Sequence, residues 1–120
     1  MSDAETLRNA AKLLRERAEM ATPGPWRQMC LGSEGCLVLR ATGTPRERGR
    51  GRVARFGQKD WKADHADAEY VAAMHPGVAL AVADWLDAEA AFAEHEVADL
   101  ALEALAVARA ILGAEDGAQS

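Results

Sequence analysis

The segment Pro23-Gly24-Pro25 separates two kinds of sequence pattern. Before it, apolar residues recur at helical spacing, and Ser2 with Glu5 forms a capping box at the start of that pattern. Prolines lack the backbone donor that a helix interior needs, and they disfavour helical dihedrals in the residue before them. We therefore predict a helix over residues 3–21 and a different structure beyond it.

Residues 26–57 lose the helical period. The run 36–39 is rich in β-prone residues and follows a glycine-flanked turn, as expected for a hairpin, and a second strand is predicted over 52–56. Residues 43–51 contain three glycines and four charged residues, so they cannot supply a core. The pattern over 26–57 predicts a small antiparallel sheet of two or three strands.

The remaining sequence is helical in pattern from residue 65 to residue 112. Asp64 is placed to cap a helix, and Pro76 suits the first turn of another. A stripe with coiled-coil-like spacing runs from Val97 to Leu112, and Gly113 is placed as a C-cap before a flexible tail over 114–120. One continuous helix over 77–113 would be about 54 Å long. Such a helix either turns back or is covered by a second subunit.

The length of 120 residues fits a single domain over 1–120, and the alanine-rich composition with six aromatic residues favours closely packed helices. The predicted fold class is α+β, with an N-terminal helix, a small antiparallel sheet, and two or three C-terminal helices. No apolar run approaches the length of a membrane span, and the N-terminus lacks a signal-peptide layout, so we expect a cytosolic protein. In that reducing compartment Cys30 and Cys36 are expected to be free thiols, although they could face each other across a hairpin.

Charge is strongly segregated along the chain. Eight of the 14 lysines and arginines lie between Arg40 and Lys62, whereas the last 58 residues contain 12 acids and one arginine. Guanidinium groups bind phosphates through paired hydrogen bonds, and an exposed tryptophan can stack on a base. The candidate anion-binding residues are Arg46, Arg48, Arg50, Arg52, Arg55 and Trp61. The alternative is a solvated loop, or arginines that pair with the acids of the C-terminal helices. The net charge of -5 argues against a duplex-DNA binder.

No catalytic or metal signature stands out. The densest group of metal-ligand residue types is Asp64, His65, Asp67 and Glu69, but its spacing matches no strong metal motif, and helix capping explains the aspartates. No arrangement of a nucleophile with a base can be assembled. We therefore expect a non-catalytic protein without a metal or cofactor. Trp26, Tyr70 and Trp85 adjoin apolar stripes, and we expect all three to be buried.

Two phrases of the sequence resemble the Ead/Ea22-like phage proteins. They are Ala21-Thr22-Pro23-Gly24-Pro25-Trp26 after a charged helix, and Asp67-Ala68-Glu69-Tyr70-Val71-Ala72 downstream. The phrases at 73–78, 84–87 and 104–113 are similar to a related group of uncharacterised proteins of actinobacteria and their phages. The resemblance implies a phage or prophage accessory protein in the host bacterial cytosol, with no assigned enzymatic activity. It also favours two C-terminal helices joined near Glu94, while the arginine-rich loop belongs to neither phrase.

These observations give two functional hypotheses. The first is a non-catalytic accessory protein that binds a host protein or an anionic nucleotide-type ligand, in a host-takeover or anti-defence role. The second is an oligomeric structural module with no small-molecule ligand. In that case the C-terminal helices form the homo-oligomer contact, because their apolar face is wider than one small sheet can cover.

Overall fold

The computed structural model describes residues 1–31, 35–41, 52–57, 61–95 and 102–119. Its elements, in chain order, are helix α1 (Asp3–Met20), strands β1 (Trp26–Leu31), β2 (Gly35–Arg40) and β3 (Arg52–Phe56), and helices α2 (Trp61–Ala73), α3 (Pro76–Glu94) and α4 (Leu102–Gln119). The strands form one antiparallel sheet in the order β1-β2-β3. The predicted α+β class is thus confirmed.

The residues group into two compact units, one formed by 1–18 with 79–120 and the other by 19–78. We call them the helical unit and the sheet unit. Whether they fold together as the single domain expected from the chain length stays a prediction. None of the described helices is both long enough and apolar enough to cross a membrane.

The core of the helical unit is built from small side chains. Helices α1, α3 and α4 each contribute one leucine and two alanines to it: Leu7, Ala10, Ala11, Ala83, Leu86, Ala90, Ala104, Leu105 and Ala108. Alanine has no side-chain atom beyond Cβ, so helices that meet through alanines can approach closely. Longer side chains such as Leu14 and Ile111 pack around this core and are only partly buried.

Ion pairs link α1 to α3 within the helical unit. Arg8 pairs with Glu94 near the end of α3, whereas Arg15 donates to Asp84 at 2.8 Å and to Asp87 at 2.5 Å. The two helices are therefore antiparallel. The hydrogen bond from Arg8 lowers the pKa of Glu94, and the same contact raises the pKa of Arg8. Because exposed ion pairs contribute little net stability, we expect these pairs mainly to fix the helix register.

The sheet unit has a second core, between the sheet and α2. Cys36 and Val38 of the central strand lie against Ala68 and Ala72 of α2, and all four are buried. Trp26, at the start of β1, is half-buried against this cluster, and its indole N–H donates to the Thr22 carbonyl at 2.9 Å. Alternation along β2 therefore directs every second side chain towards α2.

The hairpin between β1 and β2 depends on a glycine. Gly35 has a φ of 77°, and a Cβ at this position would collide with the Phe56 carbonyl oxygen. The register places Cys30 directly opposite Cys36, and the two form a disulfide. The expectation of two free thiols was wrong, because the pairing of β1 with β2 brings the two sulfur atoms together.

A second close approach joins two distant stretches of the sheet unit. A Cβ on Gly24 would lie 2.8 Å from Nδ1 of His75. That same Nδ1 accepts a hydrogen bond of 3.1 Å from the backbone N–H of Gly77, so moving the ring away would break this bond. Pro76 follows at the first position of α3, as the sequence predicted, and is buried. Gly24 is therefore held against His75.

Two helix boundaries differ from the sequence expectations, and a third agrees with them. Helix α2 begins at Trp61 rather than at residue 65, so Asp64 lies in its first turn instead of capping it. Residues 77–113 form two helices rather than one, with α3 ending at Glu94, as the family resemblance favoured. Helix α4 continues through Gly113 to Gln119, and residues 114–119 are helical rather than a tail. A single glycine costs a helix only about 1 kcal/mol, which is too little to end it.

The expected burial of the three aromatic side chains was wrong for two of them. Tyr70 is 70% exposed and Trp85 is 38% exposed, while Trp26 is half-buried. Tyr70 lies on the side of α2 away from Ala68 and Ala72, and Trp85 lies outside the alanine core. Apolar spacing alone did not show which face of each helix the core would use.

We expect Ala108→Leu to destabilise the protein by about 1–3 kcal/mol, because Ala108 is fully buried and the added atoms would overpack the core. The matched control is Ala110→Leu, which changes an exposed alanine of the same helix. Chemical denaturation would measure both. Equal losses in the two variants would contradict the tight alanine core.

We expect Gly24→Ala to destabilise the sheet unit, because the new methyl group must displace a histidine ring that is held by Gly77. The control Gly113→Ala has open space around its Cβ, and it should stabilise α4 by up to about 1 kcal/mol. Thermal unfolding followed by circular dichroism separates the two. If both variants gained stability, the packing of Gly24 on His75 would be disproved.

The stability contributed by Glu94 should depend on pH. Its pKa is lowered in the folded protein, so the contribution is fully present above the ordinary value of 4.5 and is lost as the pH falls through the lowered folded value. The free energies of unfolding of wild type and Glu94→Gln should therefore differ at neutral pH and converge in acid. Denaturation across that range, with Glu103→Gln as control, tests this. A difference that did not change with pH would contradict it.

Candidate functional site

The predicted anion-binding residues are only partly covered by the described structure. Arg52 and Arg55 lie on β3, and both are exposed. Arg46, Arg48 and Arg50 lie outside the described residues, as does the side chain of Trp61, whose backbone begins α2. The site can therefore be built only from β3 and the other two strands of the sheet.

The sheet has a second face, turned away from α2. Leu37 and Leu39 alternate with the side chains that pack on α2, so they point to this other face, and both are nonetheless buried. Arg27 of β1 and Arg52 of β3 lie directly opposite Leu39, on its two sides. Residues directly opposite each other in a sheet share a face. Two arginines therefore flank one buried leucine.

The same arrangement occurs one pair further along. Leu37 lies opposite Met29 on β1 and opposite Arg55 on β3. This side of the sheet therefore carries three arginines, and we call it the arginine face: Arg27, Arg52 and Arg55 around Leu37 and Leu39. Long arginine stems can cover apolar neighbours while their charged ends stay in water.

A bulge explains why two arginines three positions apart share a face. In a regular strand, Arg52 and Arg55 would point to opposite sides. The register shifts between Val38 and Leu39, which lie opposite Ala54 and Arg52, so Val53 is the extra residue of β3. A bulge of this kind redirects the side chains that follow it. Without it, the arginine face would lose one of its charges.

The three arginines differ in their surroundings. Arg27 is half-buried, and its Nε atom has no contact with solvent. Arg27 and Arg55 each also interact with another part of the chain. Arg52 is exposed and forms no ion pair with another described residue. Because guanidinium groups stay charged at every physiological pH, the face carries fixed positive charge that can bind an anion through paired hydrogen bonds.

Arg27 is the residue of this face that sequence reasoning missed. It lies before the arginine-rich stretch and is separated from Arg52 by 24 intervening residues. Its place depends on the strand register, in which Leu39 lies between the two. Two sequence signals together could have located it. Side chains along β1 alternate between the two faces of the sheet, and the hairpin at Gly35 sets which residues of β1 and β2 lie opposite each other.

The acidic and histidine residues weighed as metal ligands lie in the first turns of α2. His65 Nδ1 lies 3.3 Å from a carboxylate oxygen of Glu69, one turn along the helix. Asp64 is only 3% exposed, whereas Asp67 points to solvent. Within the described ranges, no three or more histidine, cysteine or acidic side chains are close enough to hold a metal ion.

Comparison with known proteins gives one result. A sequence model of the Ead/Ea22-like protein family matches residues 7–119, which span α1, the sheet and all three later helices. No curated protein and no solved structure matched. The match includes the phrase 21–26, which contains Gly24, and the phrase 73–78, which contains His75. Because it extends over nearly the whole chain, the chain belongs to the Ead/Ea22-like protein family, which points to a phage protein whose role is unknown.

Proposed function

We propose that this chain is a non-catalytic phage or prophage accessory protein that acts by binding, and that its arginine face takes an anionic nucleotide-type ligand. The observation that supports this is the presence of Arg27, Arg52 and Arg55 on one side of a three-stranded sheet. Family membership supports the phage origin. A role in host takeover or counter-defence, in the host cytosol, belongs to the same proposal.

The chemistry of the face suits phosphate groups. An exposed guanidinium group can offer two parallel N–H donors to phosphate oxygens, and Arg52 and Arg55 are both exposed on one side of the sheet. The surrounding chain is acidic overall, with a net charge of -5, so anions are attracted only where basic residues are concentrated. Arg46, Arg48 and Arg50 precede β3 directly in sequence and would add to this positive charge. Trp61 would supply a stacking surface for the base.

A host protein is the second candidate ligand, and it would bind a different part of this chain. From residue 63 onward the chain has 12 acids and one arginine, which suits a basic partner. The arginine face does not explain such an interaction. We therefore favour the nucleotide, and a protein partner becomes one outcome of the test.

We expect the double variant Arg52→Ala/Arg55→Ala to lose affinity for a fluorescently labelled nucleoside triphosphate. Each charge-assisted contact should cost about 1.5–3 kcal/mol, roughly tenfold or more in Kd. Fluorescence polarisation measures the binding, over a panel of purine and pyrimidine triphosphates. The triple variant Arg46→Ala/Arg48→Ala/Arg50→Ala tests whether the preceding residues contribute.

Arg109→Ala is the matched control, because Arg109 is an exposed arginine on α4 of the helical unit. It should bind as the wild type does. The melting temperature of the double variant should stay near that of wild type, and a large drop would show that these arginines stabilise the fold instead. Unchanged affinity in both arginine variants, or capture of a host protein by a wild type that binds no triphosphate, would overturn the nucleotide proposal.

A further inference from the structure

Helix α3 has apolar side chains on two opposite faces. One face carries Ala83, Leu86 and Ala90, which lie in the alanine core with α1 and α4. At 100° per residue, positions 81, 85, 88 and 92 lie together on the other side of the helix, roughly 160° from that core face. A helix within a small unit usually needs one apolar face. The second face of α3 has no role in the core of its own unit.

We call this second face the α3 stripe, formed by Ala81, Trp85, Ala88 and Phe92. All four residues are exposed, with Phe92 at 57% and Trp85 at 38%. Their spacing of four, three and four residues is that of the contact positions in a helix pair. A large aromatic group alternates with an alanine along it. Two exposed aromatic side chains on one stripe indicate a contact surface rather than scattered apolar residues.

We propose that the α3 stripe binds the α3 stripe of a second copy of this chain in antiparallel orientation. The order of large and small residues favours this partner. If the two-fold axis passes between Leu86 and Asp87, Trp85 of one copy lies opposite Ala88 of the other, and Phe92 lies opposite Ala81. Every aromatic ring then meets a methyl group, and large side chains fit into the spaces that small ones leave. The stripe is therefore complementary to itself.

The charged residues beside the stripe are compatible with that pairing. In an antiparallel pair, Asp84 of one copy lies beside Ala91 of the other, and Glu89 lies beside Val82. No acid meets an acid across the contact. Asp84 is also already paired with Arg15 of its own chain, at 2.8 Å. At about 0.15 M salt the Debye length is roughly 8 Å, so the net charge of each copy is largely screened.

This surface differs from the one that the sequence suggested. The stripe over 97–112 was the expected assembly surface, but its central residues Ala104 and Ala108 lie in the core of the helical unit. Val97, Leu100 and Ala101 lie outside the described residues. A C-terminal helix still makes the contact in this proposal, but it is α3, and the proposal does not depend on the nucleotide.

Sedimentation equilibrium over a range of concentrations tests the proposal with the full chain. We expect a monomer–dimer equilibrium in the wild type, and a dimer Kd at least about tenfold weaker in Ala88→Glu, which sets a charge against the partner's Trp85. Ala110→Glu makes the same change at an exposed alanine on α4, and it should dimerise as the wild type does. Circular dichroism would show whether both variants remain folded.

A residue exchange tests the self-complementary pairing itself. Ala88→Trp alone sets two tryptophans against each other and should weaken the dimer, whereas Trp85→Ala/Ala88→Trp restores a large residue opposite a small one and should recover it. A strictly monomeric wild type at high concentration would overturn the proposal, as would equal dimerisation of Ala88→Glu and wild type.

In the antiparallel pair the two Ala81 Cα atoms lie roughly 16 Å apart along the axis. Rapid disulfide crosslinking of an Ala81→Cys variant to itself would therefore overturn the orientation.

Discussion

A core built mainly of alanine is the constraint on which the helical unit depends. With only three leucines among the nine buried core residues, this core is made mostly of small side chains that have few alternative rotamers. Little room is left for other packing arrangements. The ion pairs from Arg8 and Arg15 to α3 then select one orientation and one register among those that such a core would allow. A core of small residues also leaves the larger apolar side chains of α3 outside it, which is how Trp85 and Phe92 come to the surface.

The sheet unit follows a different principle, since its form depends on register. One positive φ at Gly35 fixes the hairpin, and the hairpin sets every pair along β1 and β2. One extra residue at Val53 then sets the side to which Arg52 and Arg55 both point. The arginine face is thus a product of two local backbone features. The glycine and the extra residue are both uncharged. Together they place the arginines of the two edge strands, β1 and β3, on either side of the central strand β2.

The sequence predicted those elements that strong local signals define. The capping box at Ser2, the prolines after α1, the β-prone run 36–39 and Pro76 each act within a few residues, and the structure has the expected elements there. The start of α2 and the continuation of α4 through Gly113 were missed because weak signals, such as one glycine, are overridden by their neighbours. Arg27 was missed because its position depends on pairing across the sheet. The exposure of Tyr70 and Trp85 was missed because a helix with two apolar faces does not reveal which one is buried.

The packing of Gly24 on His75 links two segments that are 51 residues apart in the sequence. The backbone of one segment fits the ring of the other, and that ring is held by a third residue, Gly77. A side chain at position 24 would therefore be acceptable only alongside a smaller residue at position 75. We therefore expect the residues at positions 24 and 75 to vary together in evolution. A relative with a different residue at one of these positions should also differ at the other. A chimera that joins the first segment of one family member to the second segment of another could therefore combine two residues that clash, although neither parent contains that clash.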